Sequence, residues 1–225
     1  MCGRVNVIDN PGLQALLRDL GIDLQLPTRA NIAPTEALPL LRRSAGHTTL
    51  EDARWWLTPA WAPAVDQKYA MFNARSEGLS SSRAFRQPFQ RQRGIVPVSS
   101  FLEWRNEQGG KQPWKVTNAA QAFALAALWD VWRKDETGLL SCTIVTTAAA
   151  EAFRPWHQRM PVILDGQECE RWLDNSHAIA ANDPLFRPAL KSPWQLQRLS
   201  RAVSSARNKE VALMSGDDET VDIGA

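Results

Sequence analysis

The sequence predicts a single α+β domain, built around a mixed or antiparallel, barrel-like β-sheet with short flanking helices. Three observations lead to this prediction. Segments rich in β-branched and aromatic residues follow one another from residue 94 to residue 147, with turn-forming residues between them. Helical periodicity is confined to short stretches. No internal repeat or linker divides the 225 residues, a length that one domain can accommodate.

The N-terminal third predicts a strand, a helix and two further strands. Asn10 and Pro11 are typical of a helix cap and a first helical residue, and four leucines then recur at helical spacing until Gly21. A loop containing two prolines is predicted from Leu26 to Glu36. The two strands that follow it are predicted at Ala37–Arg42 and Thr48–Trp56.

The rest of the chain is predicted to be mostly strand. Ser82–Gln92 is predicted to be a short helix that Pro88 kinks or ends. Phe123–Trp132 fits a buried helix by periodicity, but hairpin-type turns on both sides favour a strand. The other predicted strands are Gly94–Ser99, Phe101–Arg105, Trp114–Thr117, Leu139–Thr147 and Gln195–Ser200, and the other predicted helices are Ala148–Phe153 and Gln167–Leu173.

Composition places the chain among globular proteins with a real core, at 44% hydrophobic and 22% charged residues. No uncharged apolar run reaches 18 residues, so we expect a soluble, cytoplasmic protein without a membrane span. The net charge is only +2, but five arginines against one acid lie between residues 75 and 93, which predicts a basic face. Four acidic residues among the last ten predict a disordered acidic tail over residues 209–225.

The three cysteines do not suggest a disulfide framework or a metal site. Cys2, Cys142 and Cys169 are odd in number and widely spaced, and the three histidines show no ligand-like spacing. We therefore expect no metal and no cofactor.

The opening Met1-Cys2-Gly3-Arg4 is the most informative segment. Removal of Met1 would leave Cys2 with a free amine of pKa about 7.7 to 8.0 beside a thiol of pKa about 8.5. Two classes of electrophile suit this pair. The thiolate can attack an amide with the amine as base. Alternatively, the amine can form a Schiff base with an aldehyde, which the thiol then closes into a five-membered thiazolidine.

The amide alternative has a known precedent in sequence. An MCG start resembles the glutamine amidotransferases that use an N-terminal nucleophile. Those enzymes usually continue with isoleucine or phenylalanine, whereas Arg4 follows here. Their asparagine-glycine loop is missing, and Gly216-Asp217 lies in the predicted tail. A module that binds single-stranded DNA without covalent chemistry is a third alternative.

Several further motifs, in order, resemble one family. They are NIAPT (Asn31–Thr35), FNARSE (Phe72–Glu77), SSFLEW (Ser99–Trp104), WHQRMPVIL (Trp156–Leu164) and RAVSSARN (Arg201–Asn208). Together with the MCGR start they resemble the SOS response-associated peptidase (SRAP) family, whose members sense abasic sites in single-stranded DNA. The resemblance spans about residues 1 to 208 and implies one abasic-site-processing domain there.

The resemblance implies that Cys2 forms a thiazolidine cross-link with the ring-opened abasic sugar, with Asn73, Glu103 and His157 around it. Opening the sugar and dehydrating the carbinolamine both need proton transfers, which Glu103 and His157 can share. Asn73 can orient the amine and a sugar oxygen. The reaction is suicidal or reversible, with a lyase side reaction and self-removal of Met1 as further implied activities.

The resemblance also implies the DNA contacts. Single-stranded DNA with abasic sites is the expected partner of a monomeric protein that joins the nucleoid on damage. The residues matched to DNA binding are Arg4, Arg75, Arg83 and Arg159 for phosphates, Pro34 and Trp61 for flanking bases, and Asn31, with Arg86, Arg91 and Arg93 as weaker candidates. Arginine at a phosphate carries no sequence information, which suits a lesion sensor. The chain departs from its expected relatives in having one tryptophan, Trp61, where a pair often stands.

Overall fold

Two β-sheets pack on each other in a computed structural model that describes residues 2–44, 46–134, 137–216 and 219–224. The helices are α1 (Pro11–Asp19), α2 (Arg86–Arg91) and α3 (Gly166–Leu173). The strands are β1 (Val5–Val7), β2 (Arg29–Ile32), β3 (Ala37–Ser44), β4 (His47–Trp55), β5 (Asn73–Arg75), β6 (Arg93–Val98), β7 (Ser100–Glu107), β8 (Gly110–Asn118), β9 (Phe123–Lys134), β10 (Thr137–Ala148), β11 (Arg159–Pro161), β12 (Ile163–Leu164), β13 (Trp194–Arg198) and β14 (Thr220–Ile223).

The first sheet closes into a barrel of β3, β4, β10, β9 and β6. The β4–β10 pair is parallel and the other four pairs are antiparallel. At Thr146 the strand β10 pairs with β5 on one edge and with β11 on the other. The predicted α+β class with a barrel-like core is confirmed, as is the strand at Phe123–Trp132.

The second sheet is antiparallel, in the order β14-β13-β8-β7-β1-β2. Its inner face packs on the barrel through an aromatic cluster. Phe101 of β7 and Trp194 of β13 meet Phe123 of β9 and Phe153, with ring centroids 5.2 to 6.2 Å apart. Aromatic pairs at these distances add about 0.5 to 1.5 kcal/mol each beyond the apolar area they bury. This cluster fixes β7, and hence Glu103, relative to the barrel.

The helices follow local rules. Asn10 caps α1 by accepting a hydrogen bond from the Leu13 amide at 2.8 Å, and Leu13 and Leu17 are buried. Pro88 lies in the first turn of α2, where its missing N–H is not needed, so the helix begins later than predicted and Pro88 does not end it. None of the described helices is long and apolar enough to cross a bilayer.

Three sequence predictions of secondary structure are wrong in detail. The predicted loop from Leu26 to Glu36 contains the short strand β2, which carries no alternating pattern. The predicted helix at Ala148–Phe153 is the end of β10 followed by a 3-10 turn. The predicted tail contains β14, where Val221 and Ile223 pack against the core while Asp222 faces outward. Asp217 and Asp218, part of the predicted acidic tail, lie outside the described residues.

Candidate active site

Cys2 lies just before β1 and is fully buried. The Leu102 amide donates to the Arg4 carbonyl at 2.9 Å, which continues the β1–β7 pairing toward the N-terminus. Asn73, at the start of β5, donates from Nδ2 to the Cys2 carbonyl at 2.7 Å. The Oδ1 atom of Asn73 is buried and has no hydrogen-bond partner within the described part of the chain. It is therefore an acceptor that a bound substrate could satisfy.

Glu103 projects from β7 and is only 2% exposed. Burial raises the pKa of this carboxyl to about 7. Burial also raises the pKa of the Cys2 thiol, and the nearby Glu103 carboxylate raises it further. The thiol is therefore protonated at neutral pH, beside a carboxyl that can gain or lose a proton there.

His157 lies in the turn before β11, and its position follows from its neighbour. The Trp156 ring packs edge to face on Trp114, with centroids 5.9 Å apart, and Trp114 lies directly opposite Glu103 on the neighbouring strand. Residues opposite each other in an antiparallel pair point to the same face. The turn that carries His157 therefore covers the face from which Glu103 projects. Burial lowers the pKa of His157, as do the charges of Arg159 and Lys111.

The raised pKa of Glu103 predicts a pH-dependent stability. Between about pH 4.5, the ordinary value, and about 7, the folded protein holds a proton that the unfolded chain has lost, so the free energy of unfolding falls as pH rises. Glu103→Gln removes this ionisation. We expect the variant to be more stable than the parent by up to about 3 kcal/mol at pH 8 and equally stable at pH 4, measured by urea denaturation.

The matched control is Glu151→Gln, an exposed carboxylate in the 3-10 turn that precedes His157. It should reproduce the pH dependence of the parent. An identical pH profile for Glu103→Gln and the parent would contradict the raised pKa.

Three of the predicted DNA-binding side chains are exposed. Arg75 and Arg83 are exposed, and Trp61 is 48% exposed, with the Arg83 guanidinium 4.1 Å from the centroid of its ring.

The sequence did not predict how the backbone around Trp61 is held. The Ala60 amide donates to the buried Asp130 carboxylate at 2.8 Å. On the other side of Trp61, the Ala62 carbonyl accepts from the Trp132 indole, also at 2.8 Å. A charge inside the apolar run FALAALWDVW was the signal that could have identified Asp130.

Other predicted contacts are already engaged within the protein. Arg4 donates to the Gly3 and Ser204 carbonyls and lies over the Trp104 ring. Arg159 makes a bidentate ion pair with Glu77. Of the remaining predicted DNA contacts, Pro34 is half-buried, and Arg86 and Arg91 are exposed.

Two of the predicted DNA contacts are buried side chains with hydrogen bonds inside the protein. Asn31 is fully buried at φ 52°, and its Nδ2 donates to the carbonyls of residues 203, 205 and 208, each at 3.0 Å. It holds the C-terminal RAVSSARN segment onto β2. Arg93 is also fully buried. Its guanidinium donates to the carbonyls of Phe89, Gln90, Trp172, Asp174 and His177.

Among the described residues, no three His, Cys, Asp or Glu side chains cluster as metal ligands. The polar groups around Cys2 are instead suited to proton transfer. The arrangement combines a buried thiol, a carboxyl of pKa about 7, an amide with an unused acceptor and a half-buried imidazole. Such a set can support nucleophilic addition to a carbonyl compound with acid–base assistance.

Comparison with known proteins gives consistent matches over nearly the whole chain. A family model described as SOS response associated peptidase (SRAP) matches residues 1–206. Abasic site processing protein YoqW of Bacillus subtilis is 30% identical over 227 residues, covering 95% of this chain and 99% of its own length. Abasic site processing protein YedK of Escherichia coli is 30% identical over 207 residues, 88% of each chain. A crystal structure from Bacteroides thetaiotaomicron superposes with a TM-score of 0.78 at 20% identity, over 94% of this chain and 98% of that one.

Proposed function

This chain belongs to the SOS response-associated peptidase family, and on that premise we propose that it recognises abasic sites in single-stranded DNA and joins the damaged sugar covalently through Cys2. Relatives that are 30% identical over most of this chain are named abasic site processing proteins, which supports an abasic site as the substrate. The observation that carries the covalent step is the burial of Cys2 against Asn73 and Glu103.

The chemistry begins with the amine. Met1 lies outside the described residues, and its removal leaves Cys2 as the chain terminus. The amine nitrogen attacks the aldehyde carbon of the ring-opened sugar to give a carbinolamine. Loss of its hydroxyl as water, with a proton from a neighbouring acid, gives the imine. His157 and Glu103 are the candidate acids.

The thiol then closes the ring. Because burial keeps the Cys2 thiol protonated, it needs a base to accept its proton as sulfur bonds to the imine carbon. Glu103, with a pKa of about 7, can take that proton and pass it to the nitrogen. The products are a thiazolidine and one water.

Ring closure protects the DNA strand. An imine makes the adjacent sugar carbon acidic and invites β-elimination, which cuts the strand. The thiazolidine has no such double bond, so strand cleavage is a side reaction of the open imine. Self-removal of Met1 through Cys2 is proposed as the only peptidase step.

The exposed side chains of Arg75, Arg83 and Trp61 support binding without sequence preference. An aromatic ring stacks on any base, and an arginine pairs with any phosphate. The hydrogen bonds on both sides of Trp61 hold its backbone in place before DNA arrives. Binding would therefore order few additional groups.

Arg75→Ala should weaken binding to all single-stranded sequences alike. Loss of one phosphate contact should reduce the slope of log K against log salt by about 0.7, measured by fluorescence anisotropy at several salt concentrations. The matched control is Arg18→Ala, an exposed arginine on α1. A loss of affinity confined to particular sequences would contradict a phosphate contact.

One experiment separates the candidate functions. The purified protein is mixed with an abasic oligonucleotide, or with an intact one, and its intact mass is measured after heating. We expect a single adduct with the abasic strand alone, at the summed mass of Met1-free protein and oligonucleotide minus one water. Release of ammonia from glutamine without an adduct would favour the amide hydrolase. Equal binding of both strands without an adduct would favour a non-covalent binding module.

A further inference from the structure

Arg159 is held on three sides by groups that the proposed reaction does not use. Its guanidinium makes a bidentate ion pair with Glu77, at 2.6 and 2.9 Å, and donates to the Thr146 carbonyl at 2.7 Å. Its main chain is fixed by pairing with Ala148 of β10. The Arg159 side chain is only 16% exposed, whereas the Glu77 side chain is 58% exposed.

The main chain of Arg159 in turn contacts the His157 imidazole. The Arg159 amide lies 2.9 Å from Nδ1, and the Arg159 carbonyl lies 3.1 Å from the same atom. An unprotonated Nδ1 can accept from the amide, whereas a protonated Nδ1 can donate to the carbonyl. Both protonation states therefore have a partner in one fixed residue.

Glu77 connects this arrangement to the other side of the site. It lies in the 3-10 turn Ser76–Gly78, directly after the strand that begins with Asn73. The Arg159 hydrogen bond lowers the pKa of Glu77, so its carboxylate is charged at neutral pH. The ion pair thus joins the Asn73 strand to the His157 turn across β10.

We propose that Glu77 is a positioning residue for His157 and acts through Arg159. It holds the Arg159 guanidinium in place, and its charge offsets the positive charge that would otherwise disfavour the imidazolium. This role rests on the proposed function, in which His157 moves protons.

The charged groups around His157 set the sign of the effect. Lys111 of β8 and Arg159 of β11 disfavour the imidazolium, and Arg105 of β7 lies over the neighbouring Trp156 ring. Glu103 ionises only near pH 7, whereas the Glu77 carboxylate is charged and pairs with Arg159. Removing the charge of Glu77 leaves the Arg159 charge uncompensated. The pKa of His157 should therefore fall.

The test is Glu77→Gln, with Glu170→Gln as its matched control. Glu170 makes the same bidentate pair with Arg43, and both glutamate side chains are 58% exposed. The ring nitrogens of His157 are followed by 15N NMR against pH in the DNA-free protein. We expect the pKa of His157 to fall by about 0.5 in Glu77→Gln and to stay unchanged in Glu170→Gln. An unchanged or raised pKa in Glu77→Gln would overturn the proposal.

A second measurement tests the reaction itself. At pH 7 the protonated fraction of His157, and with it the cross-linking rate on an abasic oligonucleotide, should fall about threefold in Glu77→Gln. The rate profile should shift toward lower pH by the same 0.5 unit. If the parent forms no adduct, the proposed function fails while the NMR result still decides the role of Glu77. If the parent reacts and the Glu77→Gln profile does not shift, the positioning role fails alone.

Discussion

Cys2→Ala is expected to form no heat-stable adduct with an abasic oligonucleotide, a loss of at least about a hundredfold in yield. Where a cellular aminopeptidase has removed Met1, the variant still has an N-terminal amine and can form the imine. It lacks the sulfur that closes the ring. We therefore expect cleaved DNA strand in place of cross-linked protein, measured on denaturing gels and by intact mass after heating.

The control is Cys169→Ala, which removes another buried thiol on α3. It should cross-link like the parent. Affinity for the abasic strand before reaction should be unchanged in Cys2→Ala, which separates lost chemistry from lost folding. A heat-stable adduct of normal yield in Cys2→Ala would refute the thiazolidine mechanism.

Arg93→Met is expected to lower the free energy of unfolding by about 3 to 5 kcal/mol and the midpoint of thermal unfolding by about 10 °C. One guanidinium satisfies the carbonyls at the ends of both α2 and α3. Methionine fills a similar volume but leaves these carbonyls buried without donors. Circular dichroism during heating and urea denaturation measure the loss.

The control is Arg91→Met, two residues earlier, whose side chain is exposed at the end of α2. It should change stability by less than about 0.5 kcal/mol. A loss below about 1 kcal/mol in Arg93→Met would show that water or rearranged backbone satisfies the freed carbonyls.

The sequence predicted most strands because each carries its own local pattern. Turn residues fixed the hairpins from β6 to β10, and leucine spacing with an Asn-Pro cap fixed α1. Closure of the barrel was beyond such patterns, since it depends on a parallel β4–β10 pair between segments far apart in the chain. Strands β2 and β14 were not predicted, because they are short and the neighbouring proline or acidic residues favoured a loop or a disordered tail.

The candidate site could also be predicted only in part. The motifs identified Cys2, Asn73, Glu103 and His157, and the fold brings these four residues together. The motifs could not show which arginines are exposed and which are buried, because Arg75 and Arg93 belong to the same basic stretch of sequence. Only burial distinguishes an exposed side chain from one that ties two helices together. Asn31 also lies in a motif, and the sequence alone does not show that its side chain is buried.

The position of β10 between β5 and β11 affects how the candidate site tolerates mutations in the barrel. Both strands pair with Thr146, so two inter-strand spacings, about 10 Å, separate the backbone of Arg75 on β5 from that of Pro161 on β11. That width is set by amide geometry and not by side-chain volume. Interior residues of the barrel can therefore be exchanged for others of similar bulk while the spacing between β5 and β11 is kept.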